Sequence, residues 1–184
     1  MTERVGIIDL GSNSARLIVM NIYHNNSYNL VYHQKETIRL SEGMANNNLL
    51  ESSAMNRAIV TLRMFTHMCD LFGVNKIIAV TTAAVRNADN GEEFLRMVHN
   101  QTSIPLLQAI SGEEEARLGY ISVVNTLDKT DALIFDLGGG STELTLVRDR
   151  KVLHTISLPF GAVTLSERFG TQDKVSEDRL TALY

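Results

Sequence analysis

A single cysteine, Cys69, stands in the 184 residues. That excludes an internal disulfide and fits a reducing compartment. No apolar run approaches the ~20 residues of a membrane-spanning helix. The N-terminus, Met1-Thr2-Glu3-Arg4-Val5, passes into a strand pattern without a charged-then-apolar leader. A cytoplasmic location is the expectation. Positive charge is not in excess: 17 Lys and Arg against 21 Asp and Glu leave a net charge of −4, whereas general nucleic-acid binding usually goes with a basic domain. Neither nucleic acid nor membrane is expected as a partner. Familiar catalytic patterns are missing too. The five histidines show no metal-ligand spacing, there is no Ser-His-Asp set, and no glycine-rich loop runs into Gly-Lys-Ser/Thr. What the charge balance leaves room for is a small or extended polyanion, held locally by backbone amides, a few arginines and metal ions.

What is present begins with ordinary globular composition, 44% hydrophobic and 21% charged, enough for a real core at this length. Within it one phrase is written twice. Residues 6–14 read Gly-Ile-Ile-Asp-Leu-Gly-Ser-Asn-Ser and residues 133–141 read Leu-Ile-Phe-Asp-Leu-Gly-Gly-Gly-Ser. Aligning Asp9 with Asp136 superimposes D-L-G-x-x-S, with an apolar run before each copy and a strand-like stretch after it. A strand, a tight acidic and glycine-rich turn and a returning strand, made twice, suggest two related lobes facing one site. Such turns present N–H groups and hydroxyls to anions, so the leading idea is a clamp on phosphate.

Around the repeats the periodicity predicts strands at Val5–Leu10, Arg16–Tyr23 and Tyr28–Ile38, with a turn at Asn25-Asn26-Ser27 and a loop at Asn46-Asn47-Asn48. From Leu50 to Phe72 apolar residues recur at threes and fours, Cys69 among them, predicting a long amphipathic helix capped by Gly73. A strand at Lys76–Val80, a small-residue turn at Thr81–Arg86 and a helix from Asn90-Gly91 to about His99 follow. A strand at Ile104–Ile110 and a helix from about Glu113 to Leu127 close the first unit. The second unit has strands Ala132–Asp136, Glu143–Val147 and Val152–Leu158, then a short helical tail. The fold class is α/β, a mixed sheet flanked by helices, in two lobes, 1–127 and 128–184, the second reading as cut short.

The candidate site residues each carry a plain alternative. Gly11, Ser12, Asn13 and Ser14 form the first turn and Gly138, Gly139, Gly140 and Ser141 the second. Either turn alone is explicable as a hairpin, but three glycines give more backbone freedom than a hairpin needs, and close approach of the main chain to phosphate oxygens would explain them. Asp136 and Glu143 flank the second turn; they suit Mg²⁺, which takes one or two carboxylates besides phosphate and water oxygens, or else an Asx turn and a solvated strand position. Asp9 is the matching acid of the first copy. Among Glu113, Glu114 and Glu115, either all three serve the helix dipole, at ~0.3–1 kcal/mol each, or one faces the cleft and takes a proton from water. Arg86 is either a bidentate phosphate contact or a surface helix charge.

Four segments in order, Gly-Ile-Ile-Asp-Leu-Gly-Ser-Asn-Ser, Thr-Thr-Ala-Ala-Val-Arg (81–86), Ile-Ser-Gly-Glu-Glu-Glu-Ala-Arg-Leu (110–118) and Asp-Leu-Gly-Gly-Gly-Ser-Thr-Glu-Leu (136–144), resemble the exopolyphosphatase/guanosine pentaphosphate phosphohydrolase family over about residues 4–165. The resemblance implies an actin-like ATPase fold, with two ribonuclease-H-like lobes and the active site between them. It implies that Glu115 activates the attacking water and that Asp136 and Glu143 hold Mg²⁺. It further implies that the two turns and Arg86 contact phosphate. The implied substrates are inorganic polyphosphate and guanosine pentaphosphate, a nucleotide of the stringent response; a homodimer is left open. A binding or sensing module for the same ligands, without turnover, is the alternative expectation.

Overall fold

The computed structural model describes residues 2–25 and 27–171. Asn26 of the predicted turn and residues 172–184 of the second unit lie outside them. Three antiparallel strands open the chain, β1 (Glu3–Leu10), β2 (Ser14–Ile22) and β3 (Tyr28–Thr37). They are followed by the short α1 (Met44–Asn47) and the long α2 (Ser52–Leu71). Then come β4 (Lys76–Thr81), α3 (Ala83–Asn87), α4 (Gly91–Gln101) and β5 (Leu107–Ala109). The five strands form one mixed sheet in the order β3-β2-β1-β4-β5, with β4 parallel to β1 and β5 parallel to β4. The core lies on one face of it. Ile8, Leu10, Leu17 and Val19 from the strands meet Ala58, Leu62 and Phe65 of α2 and Phe94 and Val98 of α4; the α2 residues belong to the apolar stripe that the spacing predicts.

The second unit repeats the opening. Helix α5 (Gly112–Thr126) leads to a three-stranded antiparallel sheet, β6 (Ala132–Leu137), β7 (Thr142–Arg148) and β8 (Lys151–Leu158), and then α6 (Ala162–Phe169). Although α5 comes before the second repeat in sequence, it packs across β6, β7 and β8. The opposite face of this sheet is open: Leu133 is 68% and Phe135 61% exposed.

Three local expectations change. Thr81–Arg86 is not a turn: Thr81 ends β4 and a single helical turn, α3, carries Arg86, because Ala83, Ala84 and Val85 are apolar enough to be buried. The strand predicted over Ile104–Ile110 shrinks to Leu107–Ala109, since Pro105 has no N–H for the ladder. The polar run Asn46-Asn47-Asn48 is partly helical, closing α1 with Asn48 in the left-handed region.

Candidate active site

The duplicated turns are built alike. In the first, the Gly11 N–H donates to the Ser14 carbonyl at 3.0 Å; in the second, the Gly138 N–H donates to the Ser141 carbonyl at 3.0 Å. Each turn is then held from behind by the chain that follows its third strand. Ile38 and Arg39 donate to the Asn13 carbonyl, and Ser41 to that of Ser12; Ala162 donates to the Gly138 carbonyl, and Val163 and Thr164 to that of Gly139. A planar trans peptide points its N–H away from its C=O. Tying these carbonyls on one side therefore turns the N–H groups of Asn13, Gly139 and Gly140 to the other. Among the described residues those three N–H groups, and that of Ser12, make no hydrogen bond. Unpartnered successive amides of this kind form an anion-binding concavity.

The two tips touch. A Cβ on Gly140 would stand 2.6 Å from Ser12 Oγ, and one on Gly139 3.2 Å from Ser12 Cβ and 3.3 Å from the Asn13 nitrogen. Neither glycine has a φ in the left-handed region. At Gly139 and Gly140 the absence of a side chain thus makes room for the opposite tip, a close approach of main chain that the sequence alone assigns to phosphate; at Gly138 a Cβ would instead crowd the Ser141 carbonyl of its own turn, at 3.0 Å.

Four carboxylates, Asp9, Glu115, Asp136 and Glu143, lie within reach of one another's charge. Asp9 and Asp136 stand one residue from the ends of β1 and β6. The pKa of Asp9 is raised, chiefly by burial, with Arg16 opposing and the charge of Asp136 adding to it. Glu115, in the first turn of α5, has its pKa raised by burial first, then by the charge of Glu143; the hydrogen bond and charge of Arg86 act against this, and Asp9 adds to it. Arg86 Nη1 lies 3.1 Å from Glu115 Oε2 and donates to the Ile110 carbonyl at 2.8 Å. It sits beside Glu115, on the short helix α3 three residues beyond Ala83, whose Cβ lies 3.4 Å from where a Gly140 Cβ would be. The three consecutive glutamates separate by environment. Glu113 is exposed, Glu114 forms a forked pair with Arg117 at 2.7 Å, and Glu115 alone turns toward the other acids.

Ser12, Ser141 and Glu143 are buried, while Asp136 is exposed. The donor set offered by Asp136 and Glu143, with Asp9 close by, is all oxygen and excess in negative charge, which fits Mg²⁺. It is not a closed protein cage: no cluster of three or more metal-ligating side chains occurs among the described residues. A Mg²⁺ ion here would complete its shell with water and phosphate. A separate cavity of about 990 Å³ reaches Gly140 from the side of α1 and α6, but none of the four carboxylates lines it.

Two further residues emerge from the register. Asp9 is paired with Arg16 on β2, as Asp136 is with Glu143 on β7. Extending the repeat alignment by two residues would have matched Arg16 to Glu143. Arg16 is exposed and makes no ion pair or hydrogen bond among the described residues. Ser157, on β8, donates to Glu143 Oε1 at 2.8 Å; nothing in the sequence marks it, since the pairing of β7 with β8 brings it there.

The arrangement of strands and helices is the actin-like ATPase fold. A protein with 16% identity, the ethanolamine utilization protein EutJ from Carboxydothermus hydrogenoformans, shares it with a TM-score of 0.52. The model of the Ppx/GppA phosphatase family matches residues 18–183, and the chain belongs to that family. An exopolyphosphatase from Cytophaga hutchinsonii superposes with a TM-score of 0.88 at 28% identity, over 98% of this chain and 58% of that one. A family member from Aquifex aeolicus gives 0.76 at 31% identity, over 99% of this chain and 59% of its own. A bifunctional 3-dehydroquinate synthase/phosphatase from Fusobacterium nucleatum is 31% identical over 95% of this chain and 28% of its length. The chain therefore spans under a third of that curated relative and about three fifths of the solved ones.

Proposed function

We propose that this chain carries the active centre of a phosphoanhydride hydrolase, which removes the terminal phosphate from inorganic polyphosphate, guanosine pentaphosphate or both. The observation that carries this reading is the pair of abutting tips with unpartnered N–H groups, next to a glutamate whose surroundings raise its proton affinity. Family membership and the exopolyphosphatase neighbour support it.

The amides of Ser12, Asn13, Gly139 and Gly140, with the hydroxyls of Ser12, Ser14 and Ser141, hold the terminal phosphoryl group and take up charge on its oxygens. Glu115 accepts a proton from the attacking water; its raised pKa makes it a stronger base than a free carboxylate, and such base catalysis typically supplies ~10²–10⁴-fold. Arg86 holds the Glu115 carboxylate in place and, on swinging its free nitrogen outward, reaches the phosphate. Asp136 and Glu143 would hold Mg²⁺, which neutralises charge on the transferred phosphoryl and leaving oxygens. A cytoplasmic setting fits the single cysteine, and no helix among the described residues is long and apolar enough to cross a membrane.

The test is orthophosphate release from long-chain polyphosphate and from guanosine pentaphosphate in the presence of Mg²⁺. Release that Glu115→Gln lowers by ~10²–10⁴-fold is expected. Tight binding of either ligand with no release under any metal would replace the hydrolase by a sensing module.

A further inference from the structure

A row of three polar side chains crosses the second sheet. Asp136 on β6 is directly opposite Glu143 on β7, and Glu143 is directly opposite Ser157 on β8. Residues so paired share a face, here the one against which α5 packs. Glu143 is 3% exposed, and a buried carboxylate needs hydrogen-bond donors. Ser157 Oγ is its one side-chain partner among the described residues, on Oε1; Oε2 has none there, yet is not sealed from solvent. One oxygen is thus anchored and the other left available.

The hydroxyl is itself fixed from the opposite side. Gly112, the first residue of α5, lies against Ser157 so closely that a Cβ there would fall 2.4 Å from Ser157 Oγ and 2.5 Å from its Cβ, and 3.7 Å from Arg86 Nη2. Ser157 therefore sits at a joint. It touches the helix that carries Glu115 three residues further on, and it holds the acid whose charge bears on Glu115.

We propose that Ser157 is a positioning residue for a divalent-cation site at Glu143 and Asp136, fixing one Glu143 oxygen so that the other faces the cation, with Gly112 keeping the hydroxyl in place. This rests on the reading of those two acids as the metal position. Partners of this kind, one bond removed from the metal, typically govern affinity by ~10–100-fold.

The probe is Mn²⁺ added to the 184-residue chain without substrate, the free ion being followed by its electron paramagnetic resonance signal. Ser157→Ala is expected to weaken Mn²⁺ binding by about 10-fold or more, with far-ultraviolet circular dichroism unchanged. Gly112→Ala, which retains the hydroxyl but displaces it, is expected to weaken binding in the same direction, and it serves if Ser157→Ala does not fold. Glu143→Gln is the reference. If Glu143→Gln weakens Mn²⁺ binding while Ser157→Ala and Gly112→Ala leave it at the wild-type value, the role of Ser157 is overturned and the metal reading stands. If all three bind Mn²⁺ like wild type, the metal reading falls and the role of Ser157 with it.

Discussion

Replacing Gly161 by alanine tests how the second tip is held. Gly161 precedes α6, and a Cβ there would meet backbone only: 2.5 Å from the Gly138 oxygen, 2.6 Å from the Gly139 carbon and 2.7 Å from the Gly139 oxygen. Ordinary contact begins near 3.4 Å, so tip and helix must part by close to 1 Å, and no rotamer change can avoid it. The same carbonyls accept from Ala162 and Val163 at 2.9 Å and from Thr164 at 3.3 Å, so parting stretches the bonds that orient the Gly139 and Gly140 amides. Overpacking of this kind costs about 1–3 kcal/mol, and a chain of this size loses roughly 2–4 °C in Tm for each kcal/mol. Misplacing a reacting group by about 1 Å costs ~10²-fold in rate. Differential scanning fluorimetry and a phosphate-release assay, run on the same preparation, measure both. The expected result is a modest fall in Tm with a loss of roughly two orders of magnitude in kcat/KM. Wild-type kcat/KM in a Gly161→Ala protein would refute the claim that these carbonyl bonds aim the tip.

Other perturbations have equally definite outcomes. Glu115→Gln should lower phosphate release by ~10²–10⁴-fold and leave ligand affinity within a few-fold. Because Glu115 binds its proton more tightly folded than unfolded, it favours the fold when protonated, and that contribution is lost as pH rises through its folded pKa. The Tm of Glu115→Gln relative to wild type should therefore grow from pH 4 to pH 8; a constant difference would contradict the assigned environment. Arg86→Gln removes the interactions that hold the Glu115 pKa down, so the acidic limb of the kcat/KM profile should move to higher pH. Phe65→Ala, at a position with no exposure, should cost about 3–5 kcal/mol in urea unfolding without altering that profile.

The repeat was legible because both copies place the same residue types at the same spacing, and the turns at Asp9 and Asp136 close with the same bond. Helix α2 was legible for the same reason, its buried residues recurring at threes and fours over 20 residues. Short elements were not. Helix α3 is five residues long, too short for a period, and takes its shape from burial against the sheet. Glu115 is distinguished from Glu113 and Glu114 only by helix rotation, which puts one of three adjacent acids against Arg86. Arg16 was within reach of the alignment, two residues past its end. Ser157 could not be read at all, since its meeting with Glu143 depends on strand register across a hairpin whose irregularity falls at Leu146/Val147. The close contact of the tips, too, belongs to tertiary structure; the glycines announce that something comes near without saying what.

The most direct measurement is a crystal structure of Glu115→Gln soaked with a short polyphosphate and Mg²⁺. Phosphorus density lying against the amides of Asn13, Gly139 and Gly140, its terminal group facing residue 115, is what the account predicts. Phosphate bound only in the cavity between α1 and α6, leaving those amides uncontacted, would contradict it.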